Sequence, residues 1–176
     1  GLGSDTKVSK FTVAKDLSNL EEAKSAATEA NMVILMAGLV ASEGFDLPSP
    51  NMLNDQNRMV CELLDINPNT VVVLKSSSPV MMPWISKAKA VLEAWNQGTE
   101  DGHVVADLLF GVVNPSGKVP TTSAASEGDL LYAMPPERYP GTDEGNGFTV
   151  IRYSEGLNMG YRWFQSQGIK PLFPFG

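Results

Sequence analysis

Three short apolar runs, set among segments with helical character, constrain the fold of this chain more than any other feature. The runs occupy residues 32–37, 70–74 and 90–95, and each has the length of a strand that is covered on both faces. Helix-like segments occupy residues 21–30, 55–66 and 100–110. Strands and helices that alternate at this spacing require right-handed crossovers, which make neighbouring strands parallel. The sequence therefore predicts an α/β sandwich, a mostly parallel sheet flanked by helices on both faces.

Local signals predict where two of the helices begin and end. Ser18 and Glu21 fit a capping box, in which each side chain bonds a free backbone N–H at a helix start. Gly111 follows the third helix-like segment, where a left-handed residue commonly ends a helix. From residue 114 onward turns, prolines and aromatic residues dominate, so we expect an irregular, turn-rich C-terminal third. A chain of 176 residues is too short for two large domains, and we expect residues 1–176 to form a single domain.

The charge and hydropathy of the chain argue against two classes of partner, nucleic acids and membranes. The net charge is −7 and the pI about 4.7, whereas binding to a phosphate backbone needs a concentrated positive surface. The longest apolar stretch, residues 32–40, is far shorter than the ~20 residues of a membrane span. We therefore expect neither a nucleic-acid nor a membrane partner. The opening Gly-Leu-Gly-Ser is not typical of a natural start, so we expect upstream sequence, and the compartment stays open.

The single cysteine and the single histidine predict no metal site and no cofactor. Cys61 excludes an intrachain disulfide and a multi-thiolate site, and its apolar-periodic surroundings predict a buried structural thiol. His103 stands in the first turn of a predicted helix with only Glu100 and Asp101 as nearby ligands, so we expect a structural or surface histidine. The neighbouring glycines lack the spacing of G-x-G-x-x-G and the lysine of a phosphate-binding loop.

Two carboxylates follow the first predicted strand. Residues 42–46 read Ser-Glu-Gly-Phe-Asp, so Glu43 and Asp46 lie beyond the carboxyl end of a strand, where parallel sheets gather ligands. Gly44 lets the backbone turn sharply. A carboxyl that is partly desolvated against Phe45 is suited to donate a proton as a general acid. The residues alone leave the more common alternative open, namely two solvated loop acids or a glutamate that caps a nearby helix.

Several further motifs follow this loop in a fixed order. They are Asn-Pro-Asn-Thr-Val-Val-Val-Leu (67–74), Pro-Val-Met-Met-Pro-Trp (79–84), Leu-Glu-Ala-Trp (92–95), Gly-Thr-Glu-Asp-Gly (98–102), Ala-Asp-Leu-Leu-Phe-Gly (106–111), Asn-Pro-Ser-Gly-Lys-Val-Pro (114–120) and the segments 153–164 and 171–176. Each motif alone is weak, but the ordered set over residues 30–176 is highly specific. The chain resembles the C-terminal α/β sandwich domain of β-glucosidase-like family 3 glycoside hydrolases.

This resemblance implies part of a retaining glycosidase that hydrolyses terminal β-linked glucosyl residues from glucosides or short oligosaccharides. In the family a β/α barrel domain carries the nucleophilic Asp, and the sandwich domain closes over it. In many members the sandwich domain also supplies the acid/base carboxylate, whose position matches Glu43. Asp46 and Phe45 are then expected to bind substrate or to support the loop. The implied partners are a carbohydrate substrate and the barrel domain, which is not in this chain, so we expect the chain alone to be inactive.

The chain departs from the family pattern at three positions. Leu47 replaces an Arg that often follows the Asp of the loop, Lys75 stands where Asn, His or another small polar residue is expected, and Ser123 replaces a usual aromatic. The departure at Leu47 bears on a contact with the substrate or on a contact that holds the loop. The alternatives are a β-N-acetylhexosaminidase or phosphorolytic relative, and a non-catalytic carbohydrate-binding or structural module.

Overall fold

A computed structural model describes residues 17–44, 47–131, 135–145 and 147–176. The chain divides into two compact units, Gly1–Ser116 and Gly117–Gly176. The helices and strands of the first unit are α1 (Leu20–Glu29), β1 (Val33–Gly38), α2 (Gln56–Ile66), β2 (Thr70–Lys75), β3 (Ala90–Glu93) and α3 (Asp101–Phe110). All six coincide with predicted segments to within two residues at each end. That residues 1–176 form one domain stays a prediction.

The three strands of the first unit form one parallel sheet in the order β1-β2-β3. Val33 pairs with Thr70 at the start of β1, and Val71 pairs with Ala90 at the start of β3. The predicted parallel α/β arrangement is therefore confirmed. Because all three strands run in the same direction, their carboxyl ends lie at one edge of the sheet, called here the carboxyl edge.

Helices cover both faces of this sheet, as predicted. Side chains alternate between the faces along each strand. One face packs against α1 and α2 through a cluster of buried residues: Leu20, Ala27, Met59 and Leu63. The other face packs against α3 through a second cluster: Val73, Ala94 and Val105. β2 lies between the other two strands, and Val72 and Val73 are fully buried.

Three local features differ from the sequence-based expectations. Ser18 lies in a 3-10 turn, and Asn19 takes the N-cap position of α1 without a side-chain capping hydrogen bond, so the predicted capping box does not begin this helix. β1 is the outer strand of the described sheet, and Met36 near its end is 47% exposed, so the described residues cover this strand less completely than predicted. β3 ends at Glu93, because Trp95 adopts a left-handed φ of 52° that a strand does not allow.

The second unit is rich in turns, as predicted for the last third of the chain. Its described residues include a short antiparallel pair, β4 (Thr142–Asp143) and β5 (Thr149–Val150), and the α-helix α4 (Tyr161–Gln167). The pair and α4 were not expected from the sequence. α4 ends at Gly168, which has a left-handed φ of 64°. None of the helices in the described ranges is long and apolar enough to cross a membrane.

Candidate functional site

Glu43 lies in the connection from β1 to α2, beyond the carboxyl edge of the sheet. The preceding strand ends at Gly38, and the chain then turns at Gly44, whose φ is 76°. The side chain of Glu43 is exposed. The Ser42 hydroxyl donates a hydrogen bond to the main-chain oxygen of Glu43 at 3.4 Å. This contact does not involve the carboxylate of Glu43. The position matches the one expected from the sequence, a carboxyl group presented outward at the ligand-gathering edge of a parallel sheet.

The other two predicted site residues, Phe45 and Asp46, lie outside the described residues. The expected desolvation of Glu43 against Phe45 therefore stays a prediction. An exposed carboxylate needs another surface to exclude water around it, since burial is what favours the protonated form of an acid.

The end of β1 is fixed by two kinds of contact. Leu39 donates its backbone N–H to the oxygen of Lys75 at 3.0 Å, which extends the pairing with β2 beyond the strand. The side-chain amide of Gln56 accepts from the Gly38 N–H at 3.0 Å and donates to the Gly38 oxygen at 2.9 Å. Gly38 also needs to be glycine, because a Cβ there would lie 1.9 Å from the Lys75 oxygen.

The second half of the connection is anchored independently of the first. Met52 is buried, and the Pro50 oxygen accepts a hydrogen bond from the Met81 N–H at 3.0 Å. Asn57 on α2 donates to the Asn51 side chain at 3.2 Å. The exposed segment 40–44 therefore runs between two fixed points.

The rest of the carboxyl edge carries further charged and polar groups. Lys75, at the end of β2, forms an ion pair with Asp101 at the start of α3. Glu93, at the end of β3, accepts hydrogen bonds from the Ser76 hydroxyl at 3.3 Å and the Trp95 backbone N–H at 3.1 Å. Burial raises the pKa of Glu93, and these two hydrogen bonds oppose the rise. The edge thus combines a lysine already paired within the domain with a partly buried carboxyl group that holds its proton more tightly than usual.

His103 and Cys61 contact residues other than the carboxyl-edge groups named above. His103 is a surface residue, as the sequence predicts. Its Nδ1 lies 2.8 Å from Glu100 Oε2. Cys61 is only partly buried, contrary to the prediction, and its Sγ accepts a hydrogen bond from Lys87 Nζ at 3.1 Å. Among the residues that the structure describes, no group of three or more His, Cys, Asp or Glu side chains is arranged to hold a metal ion.

Comparison with known proteins agrees with this geometry. The model of the glycosyl hydrolase family 3 C-terminal domain matches residues 6–161, which is most of the chain. The chain belongs to glycosyl hydrolase family 3. The match spans Glu43 and every strand of the parallel sheet, so the α/β unit described above is that family's C-terminal domain fold.

Individual family 3 relatives are β-glucosidases. The thermostable β-glucosidase B of Acetivibrio thermocellus is 42% identical over 160 residues, which cover 89% of this chain and 20% of the relative. The crystal structure of DesR, a β-glucosidase from Streptomyces venezuelae in complex with D-glucose, superposes with a TM-score of 0.85 at 39% identity, over 90% of this chain and 20% of that one. A family 3 β-glucosidase from Bifidobacterium adolescentis gives a TM-score of 0.79 at 31% identity, over 94% and 24%. The chain thus spans between one fifth and one quarter of the length of these relatives.

Proposed function

We propose that this chain is the C-terminal α/β domain of a retaining β-glucosidase, and that Glu43 is the general acid/base of the reaction. The observation that carries the proposal is the placement of Glu43. Its carboxylate is exposed beyond the carboxyl edge of the sheet, on a segment fixed at both ends, in a chain that belongs to family 3. The β-glucosidase names of the relatives, and the glucose bound to one of them, support terminal β-linked glucosyl residues as the substrate.

The reaction divides between two domains in this proposal. Retaining hydrolysis needs two carboxyl groups about 5–5.5 Å apart, one to attack the anomeric carbon and one to transfer the proton. A β/α barrel domain supplies the attacking Asp and the second surface that encloses the exposed Glu43. Glu43 first protonates the departing glycosidic oxygen and then, as a carboxylate, takes a proton from the water that hydrolyses the glycosyl-enzyme.

The remaining residues of the loop have supporting roles. Phe45 desolvates the carboxyl of Glu43 once the barrel is in place, and Asp46 holds the loop or a sugar hydroxyl. Neither step calls on a metal or a cofactor, because both proton transfers are made by a carboxyl group. The partners that this proposal requires are a β-glucoside and the barrel domain.

The test compares Glu43→Ala with the parent in the complete enzyme. A poor leaving group needs its proton before it departs, so we expect hydrolysis of alkyl glucosides or cellobiose to slow by ~10²–10⁴-fold. With dinitrophenyl glucoside the first step needs little protonation, and the glycosyl-enzyme should accumulate because its water lacks a base. Azide needs no base, so it should restore turnover and give β-glucosyl azide.

The matched control is Glu29→Ala, which removes an exposed acid at the end of α1, next to the amino end of β1. This variant should keep the parent rates with every leaving group. Small losses for Glu43→Ala that do not depend on the leaving group, without rescue by azide, would leave Glu43 a solvated loop acid. Glu43 would then take no part in proton transfer, and the interpretation of the domain as a non-catalytic module would be favoured.

A further inference from the structure

The side chain of Gln56 joins both ends of the connection that carries Glu43. Its amide accepts from the Gly38 N–H at 3.0 Å and donates to the Gly38 oxygen at 2.9 Å, at the end of β1. The same Nε2 donates to the Leu53 oxygen at 3.1 Å, just before α2. One half-buried amide therefore binds the chain where it leaves the sheet and where it enters the next helix.

The amide of Gln56 takes the place that a neighbouring strand would occupy at Gly38. The N–H groups of Val33 and Leu39 donate to oxygens of the β2 side. Because the direction of backbone groups alternates along a strand, the N–H and oxygen of Gly38 point away from β2. A primary amide carries a donor and an acceptor in one plane, as a peptide group does, so Gln56 can satisfy both.

The backbone before Gln56 adopts an unfavourable conformation to bring the side chain to this position. Asn54 and Asp55 both have a φ of 56°, in the left-handed region that costs L-residues roughly 1–2 kcal/mol each, and less for Asn and Asp. Such residues persist only where surrounding contacts over-determine them, and they cluster at functional sites. Here the side-chain contacts of Gln56 with Gly38 and Leu53 help to hold the turn, together with the backbone hydrogen bonds that the Asp55 oxygen accepts at the start of α2.

We infer that Gln56 is a positioning residue for the proton transfer at Glu43; this inference rests on the proposed function. Between Leu39 and the anchored Pro50, Glu43 lies on an exposed segment, so the direction in which the chain leaves Gly38 determines where its carboxylate lies. A misplacement of about 1 Å at a reacting group can cost about 10²-fold in rate. Gln56 acts through the backbone of Gly38 and does not itself touch the substrate.

A purely structural role predicts a different outcome, and the chain offers a matched comparison. Asn67 is a buried side-chain amide that joins backbone segments at the opposite edge of the sheet. Its Nδ2 donates to the oxygens of Ala27 and Ala30 at 2.9 Å each, and its Oδ1 accepts from the Asn69 N–H at 2.9 Å. Asn67 makes as many backbone contacts as Gln56, but at the amino ends of β1 and β2.

The experiment measures kcat/KM of the complete enzyme on glucosides whose leaving groups range from alkoxide to dinitrophenolate. Gln56→Met keeps the length of the side chain but removes the amide. We expect it to lower kcat/KM about 10–100-fold for the poorest leaving groups and less than about threefold for dinitrophenyl glucoside, because only the former depend on a well-placed acid. Asn67→Leu should lower the melting temperature, yet change the rate by the same factor for all leaving groups.

Two further variants separate the outcomes. Gln56→Glu keeps the acceptor for the Gly38 N–H and loses the donor, so it should show the same leaving-group trend, and it serves where Gln56→Met does not fold. Glu43→Ala is measured in the same series. If Glu43→Ala shows the trend and both Gln56 variants lose rate uniformly, the positioning role is wrong and the proposed function stands. If Glu43→Ala shows no trend either, the proposed function itself is wrong, and the role of Gln56 with it.

Discussion

At the scale of single residues, Glu93 is a carboxyl group at the carboxyl edge whose hydrogen-bond donors are both uncharged. Its side chain is partly buried at the end of β3, and it accepts from the Ser76 hydroxyl and the Trp95 N–H. Ser76 is fully buried, and Trp95 holds a left-handed φ. The carboxyl group of Glu93 therefore stabilises a strained turn at the expense of its own hydration, and burial is the larger influence on its pKa.

The raised pKa of Glu93 predicts a pH dependence of stability. The folded protein binds this proton more tightly than the unfolded chain does, so this contribution to the free energy of unfolding is complete below the ordinary glutamate pKa of about 4.3 and is lost as pH rises through the raised value. Glu93→Gln should flatten that decline. Urea unfolding at a series of pH values from about 4 to 7 measures it, with the exposed Glu22→Gln as the control. Equal slopes for the parent and Glu93→Gln would contradict the prediction.

The sequence singles out residues that belong to a local pattern and misses those whose contacts depend on the fold. Glu43 and its adjacent Gly44 form one continuous motif, and Gly111 ends α3 as expected from its position. Gln56 carries no such pattern, because its partner Gly38 is distant along the chain and only the sheet brings the two together. Cys61 was expected to be buried, but Lys87, from beyond β2, lies against its sulfur.

At the scale of elements, the apolar runs predicted the positions of all three strands but not how far each strand is covered. β2 is the central strand, and its uninterrupted apolar run predicted it correctly. β1 has an equally apolar run but lies at the edge of the described sheet, since an apolar run does not reveal the order of strands. α4 was missed because its residues Tyr161–Gln167 mix aromatic and polar side chains without a clear helical period.

Two glycine substitutions, one where β1 and β2 approach closely and one in open space, should have opposite effects on the free energy of unfolding. Gly38→Ala places a Cβ 1.9 Å from the Lys75 oxygen, so the strands must separate, at a cost of about 1–3 kcal/mol. Gly102→Ala, at an exposed position of α3, meets no atom within 4 Å and should stabilise the fold by up to about 1 kcal/mol, because alanine favours a helix. Urea unfolding of both variants measures the difference, and a neutral Gly38→Ala would mean that the two strands can move apart freely.

At the scale of the whole molecule, Glu43 is the acid/base candidate of the first unit, and the proposed function assigns the second catalytic carboxyl group to the barrel domain. Two other described carboxyl groups at the carboxyl edge are already engaged: Asp101 pairs with Lys75, and Glu93 accepts hydrogen bonds from Ser76 and Trp95. The chain also spans only about one fifth of its relatives. Both facts support the proposal that the active site is divided between this domain and a barrel domain.

The shared site predicts that the 176-residue chain alone does not hydrolyse p-nitrophenyl β-glucoside. This substrate has a leaving group good enough to need little help from an acid, so its hydrolysis reports mainly on the nucleophile, which the proposal assigns to the barrel domain. We expect the purified chain to show no turnover above a heat-treated sample, while the complete enzyme turns over under the same conditions. A control with Glu43→Ala in the isolated chain separates contamination from true activity. Turnover by the chain that Glu43→Ala lowers and azide restores would mean that both carboxyl groups lie within these 176 residues, and the division of the site between two domains would be wrong.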